Sequence, residues 1–171
     1  MNRYLVVPLA AAASLAIQAQ PAAPTPSAEI KQAYSGIKNN LTKAAEKMPE
    51  DLYSFKASPD VRTFGALIAH IADSQTRTCN AVLGESKSGT AGSKTAKADL
   101  VAALKDSFAD CDKAYDSLTE ANATQVLKFG QREATRLGAL ARNVIHDNEE
   151  YGYLAVYMRL KAIVPPSSEG R

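Results

Sequence analysis

AKADLVAALKDSFADCDKAYDSL, residues 96–118, decides the fold class. Leu100, Leu104, Phe108, Cys111, Tyr115 and Leu118 recur every three or four residues. That spacing lines one face of an α-helix with apolar side chains, where a strand would alternate with period two. Lys and Asp fill the positions between them, so the opposite face is solvated. The same reading, carried outward, finds three more helices. Residues 28–47 place Ala33, Ile37, Leu41 and Ala44 in a stripe, with Ser27 as the expected N-cap and Pro49 just past the end. Residues 64–83 follow Thr63 as N-cap, align Phe64, Leu67, Ile68, Ile71, Thr78 and Val82, and stop at Gly84. Residues 136–161 follow Thr135, with Leu137, Leu140, Val144, Tyr151, Ala155 and Met158 on one face and Pro165-Pro166 beyond. The chain is therefore predicted to be all-α: four helices of roughly 20 residues in a bundle about 30 Å long.

The connections refine this. Residues 84–94 are rich in Gly, Ser and Lys and lack periodicity, which marks a surface link. The link is longer than an antiparallel hairpin needs and allows a crossover that leaves helices two and three parallel. Cys79 lies about 24 Å up helix two and Cys111 about 22 Å up helix three, at 1.5 Å per residue. Parallel helices bring the two level; antiparallel helices separate them. Val126, Leu127 and Phe129, within residues 122–132, suggest a short extended or irregular piece.

The 171 residues suffice for one domain with its own core. A hydrophobic share of 46% excludes disorder, and a net charge of +2 with interspersed signs offers neither a nucleic-acid footprint nor an anionic-membrane one. Residues 1–19 read as a signal peptide: Arg3 is a short positive start, Leu5 to Ala16 is an apolar run too short to span a bilayer, and Ala19 is a small residue at the cleavage point. An uncleaved N-terminal anchor is the alternative. Residues 20–27, with Pro21, Pro24 and Pro26, form an extended linker, and residues 28–168 form the helical domain. The expected location is periplasmic or secreted, without stable membrane insertion after cleavage. In an oxidising compartment Cys79 and Cys111 can form a disulfide; in a reducing one they stay as small buried thiols.

Only two histidines are present, His70 and His146. His146 and Glu150 are four apart on one helix, so both project from the same face, one turn apart. Two imidazoles and one carboxylate can hold a divalent ion on three sides and leave positions open. Taken alone, the same residues also fit a solvated helix pair and a histidine packed beside the core. Arg77 and Ser74 share the His70 side of helix two, and Tyr153 and Tyr157 share the His146 side of helix four. Arg77 and Tyr153 are thus candidates for substrate binding, against a plainer reading as a surface charge and a bundle-packing ring. A phosphate-cradling glycine loop, a GxSxG elbow and an HExxH motif are all absent.

Residues 55–72 (FKASPDVRTFGALIAHIA), residues 146–159 (HDNEEYGYLAVYMR) and the Pro165-Pro166-Ser167-Ser168 tail resemble the DinB/YfiT-like superfamily, nearest to an exported branch of it. The resemblance covers about residues 28–168. It implies an up-down-down-up four-helix bundle and a metal held by three histidines, one on helix two and two placed four apart on helix four. The first falls on His70 and the second on His146. The third falls on Glu150, a departure that yields either a two-His-one-carboxylate site favouring harder ions or a decayed site. The metal would be zinc, nickel, manganese or iron.

Two functions follow. The resemblance implies a metal-dependent transferase using a low-molecular-weight thiol; because such thiols are cytosolic and the chain reads as exported, a metal-activated hydrolase acting on a small molecule is the equal expectation. The competing expectation is a non-catalytic helical module of the cell envelope. A homodimer is left open.

Overall fold

The structure is a computed structural model that describes residues 23–170. The expected signal peptide and the first residues of the linker lie outside the described residues. Four helices carry the fold: α1 (Pro26–Lys47), α2 (Phe64–Val82), α3 (Lys97–Asp116) and α4 (Arg136–Leu160). A two-stranded antiparallel hairpin, β1 (Val126–Phe129) with β2 (Arg132–Thr135), precedes α4. Among the described residues no helix is long and apolar enough to cross a membrane.

The expected Thr63 cap holds, and Thr135, the residue before the fourth helix, caps α4. The Thr63 hydroxyl accepts from the Ala66 N–H at 3.1 Å, and the Thr135 hydroxyl accepts from the Gly138 N–H at 3.0 Å. α1 differs. Thr25 rather than Ser27 caps it, accepting from the Ala28 N–H, and Pro26 takes the first helical position, where a missing N–H costs nothing. Ser27 is buried inside the first turn, and its N–H donates to Glu120 at 2.9 Å. The stripe of α1 holds at Ile37, Leu41 and Ala44, all buried, and differs at one position. Ala33 faces solvent and Tyr34 is buried, its ring stacked 3.8 Å from that of Tyr115. A tyrosine ring removes far more apolar area from water than a methyl group, so the ring sets the rotation of the helix.

The helix directions follow from contacts along each seam. Between α2 and α3, Gly65 lies against Leu100, Gln75 bonds Ser107, and Cys79 is bridged to Cys111 with Cα atoms 4.9 Å apart. Numbers rise together, so α2 and α3 are parallel. Between α2 and α4 they run in opposition: the Arg62 carbonyl meets Tyr157, His70 meets His146, Gln75 meets Asp147, and the Val82 carbonyl meets Arg136. α1 opposes α3 in the same way, through Tyr34 with Asp112 and Lys97 with the Met48 carbonyl. The order is up-down-down-up, and the disulfide joins the level cysteines.

The extended piece expected within residues 122–132 is a hairpin that continues to Thr135. Gly130 makes its turn at φ +64°, a conformation that favours glycine. Its second strand, Arg-Glu-Ala-Thr, is polar and half exposed, so no alternation announces it. Arg136 fastens the hairpin base by donating to the Val82 carbonyl, to Ser117 and to Gln125. The α2–α3 connection is also less loose than its composition suggests. Asp73 accepts from the N–H groups of Ala91 (2.7 Å) and Gly92 (3.0 Å) and pins a short 3-10 turn, Ala91–Ser93, against α2.

Candidate metal centre

His70 lies near the middle of α2, and its antiparallel neighbour α4 brings His146 to the same height. The Nε2 atoms of the two rings are 3.1 Å apart. Glu150, one turn beyond His146, places Oε1 at 3.5 Å from the Nε2 of His70 and 3.8 Å from that of His146. The three donor atoms lie within 4.8 Å of one another. Both imidazoles are partly exposed and Glu150 is buried. The convergence expected from the sequence is present.

These residues fit a divalent ion on three counts. Two donors each about 2.1 Å from one ion and tetrahedrally disposed are roughly 3.4 Å apart, and the observed separations bracket that value. Two ring nitrogens facing each other repel unless a proton or a cation lies between them. Glu150 Oε2 is buried without a hydrogen-bond partner, and an ionised carboxylate oxygen left unsatisfied in the interior is costly without a cation to neutralise it.

Behind the donors lies a support that the sequence reading did not identify. Asp147, fully buried, sets Oδ1 at 3.4 Å from His146 Nδ1. Its Oδ2 accepts from Gln75 and from Asn143, each at 3.0 Å. Ser107 in turn donates to Gln75 at 2.9 Å, so α2, α3 and α4 all contribute to holding one carboxylate. A carboxylate on Nδ1 keeps the proton there and turns the Nε2 lone pair toward the other donors. The hydrogen bond to Asp147 raises the pKa of His146, while burial lowers that of His70 against the pull of Glu150. Burial also pushes the Asp147 carboxyl upward, opposed by its hydrogen bonds to His146, Gln75 and Asn143. The available signal was polar residues at apolar-face positions: Gln75 interrupts the stripe of α2, and Asn143 and Asp147, four apart, interrupt that of α4.

Two cavities flank the centre. One of about 550 Å³ borders His70 and is lined also by Arg62, Ala66, Ala69, Asp73, Arg77 and Lys94. One of about 260 Å³ borders His146, between α2, α4 and the hairpin, with Ser74, Thr78, Phe129, Arg132 and Arg142. Arg77 therefore stands beside the centre. Tyr153 is half exposed, bonds Glu149 at 3.4 Å and lines neither cavity. Tyr157 is buried, and its hydroxyl donates to the Arg62 carbonyl at 2.6 Å rather than facing water.

A family model described as the DinB superfamily matches residues 33–154, from α1 into α4 and through all three donors. No curated protein matches. A crystal structure of a DinB-like protein from Bacillus cereus superposes with a TM-score of 0.67 at 18% identity, covering 80% of this chain and 93% of that one. A DinB-like protein from Bacillus subtilis, YjoA, gives 0.62 at 20% identity, covering 78% and 92%. At these identities the two structures establish the fold, and the family model spans well over half of the sequence. The chain belongs to the DinB superfamily.

Proposed function

We propose that this is an exported protein that holds one divalent metal ion through His70, His146 and Glu150 and hydrolyses a small-molecule substrate there. The observation that carries the reading is the unpartnered, buried Glu150 Oε2 beside two converging imidazoles. The carboxylate behind His146 supports the same reading, because it fixes the tautomer that a ligand needs.

A bound divalent ion would supply Lewis acidity that lowers the pKa of a water molecule. The protein's own contributions are distinct. Asp147 holds His146 in orientation, Glu150 adds one negative charge that favours harder ions than an all-imidazole set would, and the partly exposed imidazoles leave a face open to substrate. Hydrolysis is preferred over thiol transfer because low-molecular-weight thiols are cytosolic, whereas residues 1–19 read as an export signal and the Cys79–Cys111 bridge suits an oxidising compartment.

Melting curves test this. A ligand that binds only the folded state at 100 times its Kd stabilises it by about 2.7 kcal/mol. Zinc, nickel, manganese or iron(II) should therefore raise the melting temperature of the wild type by several degrees. His146→Ala and Glu150→Gln should lose most of that rise alike, and Glu150→His should keep it. A wild type indifferent to all four ions leaves a helical module without a metal.

A further inference from the structure

The larger cavity is charged in a way that the metal centre does not require. Arg62 at the mouth of α2, Arg77 two turns beyond His70, and Lys94 from the α2–α3 connection all line it. None of the three has an ion-pair partner among the described residues. The carboxylate that shares the cavity, Asp73, is committed: both its oxygens accept backbone N–H groups of the Ala91–Ser93 turn. The remaining wall joins the hydroxyl residues Ser54, Thr63 and Thr95 to a small apolar patch of Ala66, Ala69 and Leu100. Three free cations against one engaged carboxylate leave a net positive bay with an apolar floor. The cavity bordering His146 carries a weaker bias, two arginines (Arg132 and Arg142) against Glu133.

We infer that this bay binds a small organic oxyanion, a carboxylate or a phosphate monoester. Arg62, Arg77 and Lys94, spread along the bay, supply the cationic contacts for the charged head, and the apolar body rests on Ala66, Ala69 and Leu100. Guanidinium groups match the planar or tripodal oxygens of such heads with paired hydrogen bonds. About 550 Å³ lies within the range of ordinary small-ligand pockets. His70 forms one wall, so the anion lies next to a metal donor. The inference deepens the proposed function by naming its substrate class and rests on that reading for its catalytic meaning, while anion binding itself needs no metal.

The test uses the metal-free and the zinc-treated full chain with three probes: benzoate, phenyl phosphate and the neutral benzamide. Binding is followed by amide NMR shifts. Whichever anion binds tighter names the head group, and at least one should bind at least about tenfold tighter than benzamide, with shifts centred on Ala66, Ala69 and Gly92. Arg62→Gln/Arg77→Gln should lose that preference while keeping the wild-type response to zinc, and Arg77→Lys alone should retain part of the affinity. Equal binding of benzamide, shifts confined to the Phe129–Arg142 cavity, or an unchanged anion affinity in the double variant would overturn the inference. Should the double variant fail to fold, the benzoate, phenyl phosphate and benzamide comparison on the wild type decides alone. Anion binding without any zinc response would remove the metal reading and leave the bay standing.

Discussion

Helix α2 serves two seams built on opposite terms. Against α3 it runs parallel, closed by the Cys79–Cys111 bridge, and its polar groups are paired: Asn80 donates to Asp110 at 2.9 Å and Lys87 donates to Asp110 at 2.6 Å. Against α4 it runs antiparallel, and two imidazoles and a carboxylate point at one spot with an oxygen left over. Buried polar groups are normally satisfied because leaving one unpaired costs about 1–3 kcal/mol. The first seam obeys that rule and gains stability. The second breaks it at Glu150, which is where a function belongs.

If the seams are that distinct, they should fail separately. Replacing both cysteines with alanine removes a cross-link over a sequence separation of 32 residues, which restrains the unfolded chain by roughly 3–4 kcal/mol. Denaturant unfolding should show a loss of that order, with metal uptake intact. Loss of metal together with the bridge would show that the two seams are one device.

Asp147→Asn acts on the other seam. It keeps the shape but exchanges the carboxylate behind His146 for an amide, and metal affinity should fall about 10–100-fold by isothermal titration. A change under twofold would make Asp147 a packing residue only.

Glu150→Gln sharpens the contrast from the stability side. Without metal the variant should melt at the wild-type temperature or a few degrees above it, because a buried orphan charge is removed at a gain of about 1 kcal/mol. A clear loss of stability in the metal-free variant would mean that Glu150 supports the fold.

The smallest effect lies back on the α2–α3 seam. Burial pushes the Asp110 carboxyl up, but hydrogen bonds from Lys87 and Asn80 outweigh it, and its pKa sits below the ordinary value. A depressed folded pKa gives stability above the unfolded value, near pH 4, that is lost as pH falls through the folded one. Lys87 is half exposed, so the gain is modest and salt-sensitive. Acid titrations should show the wild type losing slightly more stability below pH 4 than Asp110→Asn does.

How much of this was legible in the sequence depended on which interaction fixed each residue. Thr63 was readable as a cap, and Thr135 as the residue before the fourth helix, because an N-cap is a local contract between neighbouring residues. The Cys79–Cys111 pairing was readable as one of two outcomes, because helix rise sets the two heights level only for parallel helices, which the long link allows. His146 and Glu150 share a face by their spacing, His70 was the one other histidine, and the resemblance to DinB-like sequences joined the three into one set. The errors came where long-range packing overrode local pattern. Tyr34 displaced Ala33 because it stacks on a ring 81 positions away in sequence, and Thr25 displaced Ser27 because Ser27 is drawn into a contact with Glu120. Asp147, Gln75 and Asn143 form a network across three helices, and no single segment announces that they meet. Arg62 and Lys94 reach the His70 cavity from outside the regular helices, where no period applies.

The central claim is that the α2–α4 seam holds a metal ion through three named side chains. Elemental analysis of the chain, purified without a polyhistidine tag and dialysed before measurement, tests it most directly. About one divalent ion per wild-type chain is expected, and near none in His146→Ala or Glu150→Gln, each confirmed as folded. Wild-type protein with no stoichiometric metal after incubation with zinc, nickel, manganese or iron(II), or equal metal in wild type and both variants, would contradict it.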